Sequence, residues 1–255
     1  MILDRFNRKG KCGLVTGAGS GIGLGMASGR AQAGAKTALA GRTMNKLEKA
    51  AAALTAAGLE AAPFHVDMAD ADSIAQLVAS VVEKFGRIDF LFNNAGLIHR
   101  DPVVSFPLDK WEEMLKVNLT GPFLLSQAVA GQMIEKGIKG SIVNTSSLIA
   151  VFGGVSVPAY AATKGGLTQL TKSMCNDLAK YGIRVNAIGP GWVKTEMTQA
   201  LQDNPERFEA ISARIPLGRW ADPEDLAGLA VFLASEASAY ITGQVIFIDG
   251  GYLAM

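Results

Sequence analysis

Cysteine is scarce. The two present, Cys12 and Cys175, have neither CxxC nor metal-ligand spacing, which argues against a disulfide scaffold, a thiol redox pair or a cysteine metal site; both read as reduced core thiols, and no metal is expected. An excess of charge is also missing: 24 Lys and Arg against 23 Asp and Glu leave a net charge of +1. Such a chain has no diffuse basic field for nucleic acid or for an anionic membrane, so any anion it holds must be gripped locally. No uncharged apolar run reaches the ~18 residues of a membrane-spanning helix. The opening residues, Met1 to Gly10, carry early charges and no apolar core of a signal peptide. A cytoplasmic protein is the expectation.

What is present is apolar sequence in short, regular parcels. Hydrophobic residues are 49% of the 255 and charged residues 18%, enough for one large core. Strand-length runs at Cys12–Thr16, Thr37–Ala40, Ala61–Val66, Ile88–Phe92, Ser141–Thr145, Arg184–Ile188 and Gln244–Ile248 alternate with amphipathic segments at Ile22–Gly34, Asn45–Ala57, Ser73–Phe85, Asp109–Lys136, Ala159–Tyr181 and Pro223–Ser235. Asp70 and Asp72 are capping candidates for the third helix, and Asp222-Pro223 reads as N-cap and N1 of the sixth. Strands separated by helices must run parallel with right-handed crossovers. The fold class expected is therefore α/β: a single-domain, Rossmann-type doubly wound parallel sheet of about seven strands, with helices on both faces. Gly191–Trp220 breaks the rhythm and reads as a substrate lid over the ligand crevice.

The first strand runs into Thr16-Gly17-Ala18-Gly19-Ser20-Gly21-Ile22-Gly23 and then a helix. Gly17, Gly21 and Gly23 form a G-x-x-x-G-x-G turn that brings backbone close to a pyrophosphate at a helix N-terminus. After the second strand, where a carboxylate would select NAD through the ribose 2′-hydroxyl, the chain has Gly41, Arg42 and Thr43. Arg42 suits a 2′-phosphate, so NADP(H) is the expected cofactor. Asp67 is read as an acceptor for the adenine amino group, with Met68 covering the ring; an ordinary helix-capping role for Asp67 stays open.

Tyr160 and Lys164 stand four apart at the start of a helix, which stacks both on one face. A phenol titrates near ~10, and a neighbouring ammonium is expected to lower it so that Tyr160 can exchange a proton with a carbonyl oxygen. Ser147, thirteen residues before Tyr160, is placed to donate to the same oxygen, with Ser146 as a rival. No G-x-S-x-G elbow or partnering His supports hydrolase chemistry. Asn94, Ala95 and Gly96 follow the fourth strand and border the cofactor. Asn118 interrupts the fourth helix, where its amide can hold a water linking Lys164 to solvent or mark a kink.

These four ordered motifs, Thr16–Gly23, Asn93–Gly96, Ser147 with Tyr160 and Lys164, and Pro190-Gly191 with Thr195, resemble the short-chain dehydrogenase/reductase family along essentially the whole chain. The resemblance implies a catalytic tetrad of Asn118, Ser147, Tyr160 and Lys164. It also implies that Lys164 holds the nicotinamide ribose and that Pro190, Gly191, Val193 and Thr195 border the nicotinamide. Many NADP-using members carry a basic residue where this chain has Ser20, which leaves Arg42 as the principal expected partner of a 2′-phosphate.

Asn94–Arg100, Pro190–Thr198, Gly218–Trp220 and Asp249–Leu253 resemble family members that reduce keto sugar acids, among them gluconate 5-dehydrogenases. A keto or hydroxy sugar acid wants a cation and hydrogen-bond donors. Arg100 is the expected carboxylate clamp, His99 stands beside it, and Trp192 walls the pocket. Arg219 and Trp220 are read as ties of the lid or of a subunit contact. Rival readings are a 3-oxoacyl carrier-protein reductase, an alcohol or steroid dehydrogenase, and a non-catalytic NADP-binding sensor. Surplus apolar surface on the long helices and at Tyr252–Met255, with the family likeness, points to a homotetramer.

Overall fold

The computed structural model describes residues 1–255. Seven parallel strands form one sheet in the order β3-β2-β1-β4-β5-β6-β7, where β1 is Cys12–Thr16, β2 Lys36–Gly41, β3 Ala61–His65, β4 Phe90–Asn93, β5 Ser141–Thr145, β6 Arg184–Pro190 and β7 Val245–Ile248. The doubly wound architecture expected from the alternation is thus present. β1 and β5 have their expected bounds; the others differ by one or two residues at an end. Pro63 lies within β3 opposite Leu39, which is allowed because β3 is an edge strand and lacks a neighbour on one side.

The helices are α1 (Gly21–Gln32), α2 (Met44–Ala56), α3 (Ala71–Phe85), α4 (Leu108–Leu115), α5 (Gly121–Glu135), α6 (Ile149–Phe152), α7 (Pro158–Leu178), α8 (Gln199–Gln202), α9 (Pro205–Ser212) and α10 (Ala227–Leu233). The long helix expected over Asp109–Lys136, with its interruption at Asn118, is α4 and α5 joined without a break by a π turn, Lys116–Thr120, with Asn118 in its middle. Asp70 caps α3 by accepting from the Asp72 and Ser73 amides, whereas Asp72 lies inside the helix. Asp222 and Asp225 form a reciprocal capping box around Pro223, as the sequence suggested, but it opens a 3-10 turn ahead of α10.

Two apolar layers sandwich the sheet. One joins Leu14, Leu91 and Ile142 to α3 and α5; the other joins Val15, Leu39 and Phe92 to α1, α2 and α10. A third, smaller cluster holds Leu148, Ile211, Ile215, Trp220 and Tyr252 beneath the 191–220 segment. Tyr252 is therefore packed within its own chain, which accounts for much of the apolar C-terminus that the sequence assigned to a subunit contact.

The chain crosses from β3 back past β1 to β4, and the crevice between the C-terminal ends of β1 and β4 is the switch point where such sheets bind ligands. Thr16 ties the two edges together, its hydroxyl accepting from the Asn94 and Ala95 amides at 3.0 Å each.

Candidate active site

Two clefts meet at this crevice. The first, about 370 Å³, lies over the β1–α1 turn and is lined by Gly17, Ser20, Gly21, Ile22, Gly23, Arg42, Asn94, Ala95, Gly96, Tyr160, Lys164 and Thr195, as well as by Lys46 and Glu196. The second, about 780 Å³, lies under the 191–220 segment and carries Arg100, Ser147, Pro190, Gly191, Trp192 and Val193 on its wall. Ile22, Thr145, Tyr160, Thr195 and Met197 line both. Tyr160 thus stands where a ligand in one cleft faces a ligand in the other.

The first cleft is shaped for a dinucleotide. Gly17 and Gly21 have φ of +64° and +51°, a conformation that side chains resist. A Cβ on Gly23 would collide with the Gly17 carbonyl, so this turn must stay bare. Ser20, the residue before α1, makes no side-chain cap, and the first turn of α1 holds no acid. Its free amides and dipole therefore favour an anionic group. Arg42 is exposed on the rim with no ion-pair partner. A pyrophosphate and a ribose phosphate fit these donors.

Lys46 was not singled out by sequence. It lies in the first turn of α2 on the wall of the same cleft as Arg42, and its Nζ meets both Glu196 oxygens at 2.7 Å, joining α2 to the segment over the crevice.

Neither Asp67 nor Met68 is on the wall of this cleft, and for Met68 the expected adenine contact is a correction. Met68 is 5% exposed within the α3–α5 layer, so its side chain is spent on the core and not on an adenine ring. Asp67 accepts from the Ala69 amide at 2.9 Å, a local turn of the kind that short acids favour.

The reacting groups come together as the spacing predicts. Pro158 starts α7, placing Tyr160 in its first turn and Lys164 a turn later. Lys164 is 3% exposed; its Nζ donates to the Thr145 carbonyl at 2.6 Å and stands 5.5 Å from the Tyr160 ring centre. Ser147 faces the second cleft, its Oγ accepting from the Ile149 amide at 3.2 Å. The rival Ser146 is buried and its hydroxyl is paired with Thr168 at 2.8 Å. It points toward α7.

The electrostatics differ from the simple expectation. Burial raises the Tyr160 phenol above its ordinary value, while a hydrogen bond from Ser147 and the charge of Arg100 pull it down. Burial lowers Lys164 to about 8. In the free protein the desolvation of a closed site dominates both groups and outweighs what lowers the phenol. The Asn118 amide is committed as well, accepting from the Leu97 amide at 2.9 Å and donating to the Leu97 carbonyl at 2.8 Å. Its side chain pins the Asn94–Leu97 loop to the π turn.

His99 is another correction. Its ring packs edge-on to Phe106 with centroids 5.6 Å apart, and it lies 3.8 Å from Asp101, outside both clefts. Arg219 pairs with Asp225 at 2.6 Å and Trp220 donates to Ser212 at 3.0 Å, so both anchor the end of the 191–220 segment within the chain. Thr145, Met197, Arg207, Arg214 and Tyr252 complete the site and were not marked in the sequence.

A phenol, a hydroxyl and a buried ammonium set beside a dinucleotide-shaped cradle define an oxidoreductase that works with a nicotinamide dinucleotide. A family model described as enoyl-(acyl carrier protein) reductase matches residues 17–253. The chain belongs to the short-chain dehydrogenase/reductase family. It is 41% identical over 254 residues to 2-dehydro-3-deoxy-D-gluconate 5-dehydrogenase of Dickeya dadantii, covering 100% of each chain. It is 40% identical to gluconate 5-dehydrogenase of Gluconobacter oxydans, over 97% of this chain and 96% of that one. A crystal structure of a gluconate 5-dehydrogenase from Burkholderia cenocepacia in complex with NADP and tartrate superposes with a TM-score of 0.96 at 39% identity, covering 100% of both chains.

Proposed function

We propose that the protein reversibly reduces the keto group of a sugar acid, using NADP(H). The observation that carries this reading is the position of Tyr160 on the wall shared by the two clefts, one lined by the glycine turn and Arg42 and the other bearing arginines. Sugar-acid names among full-length relatives near 40% identity support the substrate class, and NADP in a related structure supports the cofactor.

When bound, the nicotinamide supplies the hydride to the carbonyl carbon. Ser147 donates a hydrogen bond to the carbonyl oxygen, where negative charge grows. Tyr160 gives its proton to that oxygen and is recharged from solvent; in the oxidative direction it takes the proton back. Lys164, held by the Thr145 carbonyl, keeps a positive charge beside the phenolate that this leaves and orients the ribose. Arg42 and Lys46, both on the wall of the first cleft, would hold the 2′-phosphate. The 191–220 segment acts as the lid of a single functional domain, and the molecule works as a cytoplasmic homotetramer, with Phe123, Ile134 and Tyr240 among the exposed apolar side chains available for contact. No helix is long and apolar enough to cross a membrane.

The test is a nicotinamide-absorbance screen crossing NADPH and NADH with 5-ketogluconate, deoxy-keto-gluconates, unsaturated-uronate-derived keto acids and apolar ketones. Turnover confined to apolar ketones overturns the substrate class. Equal or NADH-favouring kcat/KM overturns the cofactor. Tyr160→Phe is expected to abolish turnover while retaining cofactor binding, which separates an enzyme from a sensor, and light scattering reads the oligomer.

A further inference from the structure

We propose that Arg207 and Arg214, on the segment over the crevice, form the subsite that receives the substrate's carboxylate. This rests on the sugar-acid reading above and names the residues that enforce it. The two arginines are seven positions apart, on α9 and the turn that continues it (Arg214 N to Ile211 O, 3.1 Å), so they share one face. Both line the larger cleft. The acids of the same helix, Glu206 and Glu209, do not line it. The guanidinium of Arg214 lies 4.4 Å from the centre of the Tyr252 ring. That ring is 4% exposed and wedged against Trp192 and Phe152, with centroid distances of 6.2 and 6.0 Å. A guanidinium seated on a fixed aromatic platform keeps its N–H edge free for a planar carboxylate.

Three arginines face this pocket, Arg100, Arg207 and Arg214, and none forms an ion pair. The one acid on the wall, Asp101, accepts from Ser105 at 3.0 Å and lies 3.8 Å from His99. In a chain of net charge +1, this is a local concentration of uncommitted positive charge. The three do not have equal duties. Arg100 is close enough to Tyr160 for its field to stabilise the phenolate. A carboxylate clamped there would cancel that help at the reacting oxygen. The lid pair carries no such conflict, and an anion binding there draws the lid onto the substrate it selects.

The experiment compares kcat/KM with NADPH for 5-ketogluconate and for a neutral ketohexose, in the wild type, Arg207→Ala, Arg214→Ala and Arg214→Lys. NADPH fluorescence titration checks that each variant is folded. A charge-assisted bidentate contact corresponds to about 10- to 100-fold, so the acid-to-neutral ratio is expected to fall by that factor in both alanine variants and to recover partly with lysine. An unchanged ratio in variants of a wild type that does turn over the acid overturns the lid assignment alone. A wild type that refuses every sugar acid overturns the substrate reading beneath it. An Arg100→Ala variant that loses the ratio while the lid variants keep it returns the clamp to Arg100.

Discussion

Lys164 donates to the Thr145 carbonyl at 2.6 Å and so holds its charge beside Tyr160 without touching the phenol oxygen. In the free protein the lysine is lowered to about 8 while Tyr160 is raised. Reduction needs a protonated phenol and a charged lysine. The kcat/KM for NADPH, which reports the free enzyme, is therefore expected to be level below neutrality and to fall as pH passes about 8. A profile that rises through this range contradicts the assignment. The same lysine links to folding. Its folded pKa lies below its ordinary value of 10.5, so between about 8 and 10.5 the unfolded chain binds more protons, and its contribution to stability increases with pH. Urea melts across that window are expected to show the increase in wild type and lose it in Lys164→Met.

Cofactor choice is expected to rest on two cations, one of them restrained. Arg42 is unpaired, whereas Lys46 is bound by Glu196. Arg42→Ala and Lys46→Ala are each expected to raise the KM for NADPH by about tenfold, the scale of one charge-assisted contact, with little change for NADH. Glu196→Gln releases Lys46 and is expected to lower the KM for NADPH only. Equal effects on both cofactors would point to a general change in cleft shape.

The two serines after β5 offer a sharper comparison. Both border the substrate cleft, but the Ser146 hydroxyl is buried and committed to Thr168, whereas Ser147 is less buried. Ser147→Ala is expected to lower kcat by about 10²- to 10³-fold, the cost of one lost donor to a developing oxyanion. Ser146→Ala is expected to retain most of kcat and to lose stability by about 1 kcal/mol for the broken bond. Steady-state rates and a thermal melt read both, and the reverse ranking exchanges the two roles.

The legibility of the site follows the range of the interactions that build it. The glycine turn and the Tyr160–Lys164 pair were visible because backbone clearance and one helical turn are local requirements, written as spacing. The interruption of the fourth helix at Asn118 was visible for the same reason, although the π turn itself was not. Arg207 and Arg214 reach the pocket only because the 191–220 segment packs on Leu148 and on Tyr252 from the C-terminus, a long-range arrangement that no local pattern encodes. Met68 was misread because a residue just past a strand can face either the crevice or the core, and packing against Gly121 decides it. Lys46 was passed over because an exposed lysine on an amphipathic helix looks like any solvated surface charge. The rise of the Tyr160 phenol was hidden too, since burial is a property of the assembled site and not of a four-residue interval.

One buried cation lies outside the chemistry. Arg30, on α1, is fully buried, and none of its three guanidinium nitrogens has a hydrogen-bond partner. It lies 3.8 Å from the centre of the Phe92 ring and 5.7 Å from that of Phe90. A desolvated cation–π contact is worth about 2 kcal/mol, but removing an ion from water costs several kcal/mol even after the protein relaxes. The desolvation is the larger quantity, so the charge is a net burden at this position. Arg30→Met keeps most of the length and the ring contacts while deleting the charge. It is expected to stabilise the fold by about 1–3 kcal/mol in urea denaturation, within the range seen when buried ions are replaced by apolar residues, with kcat and NADPH affinity unaltered. A loss of stability in Arg30→Met would mean that the two rings outweigh the missing water.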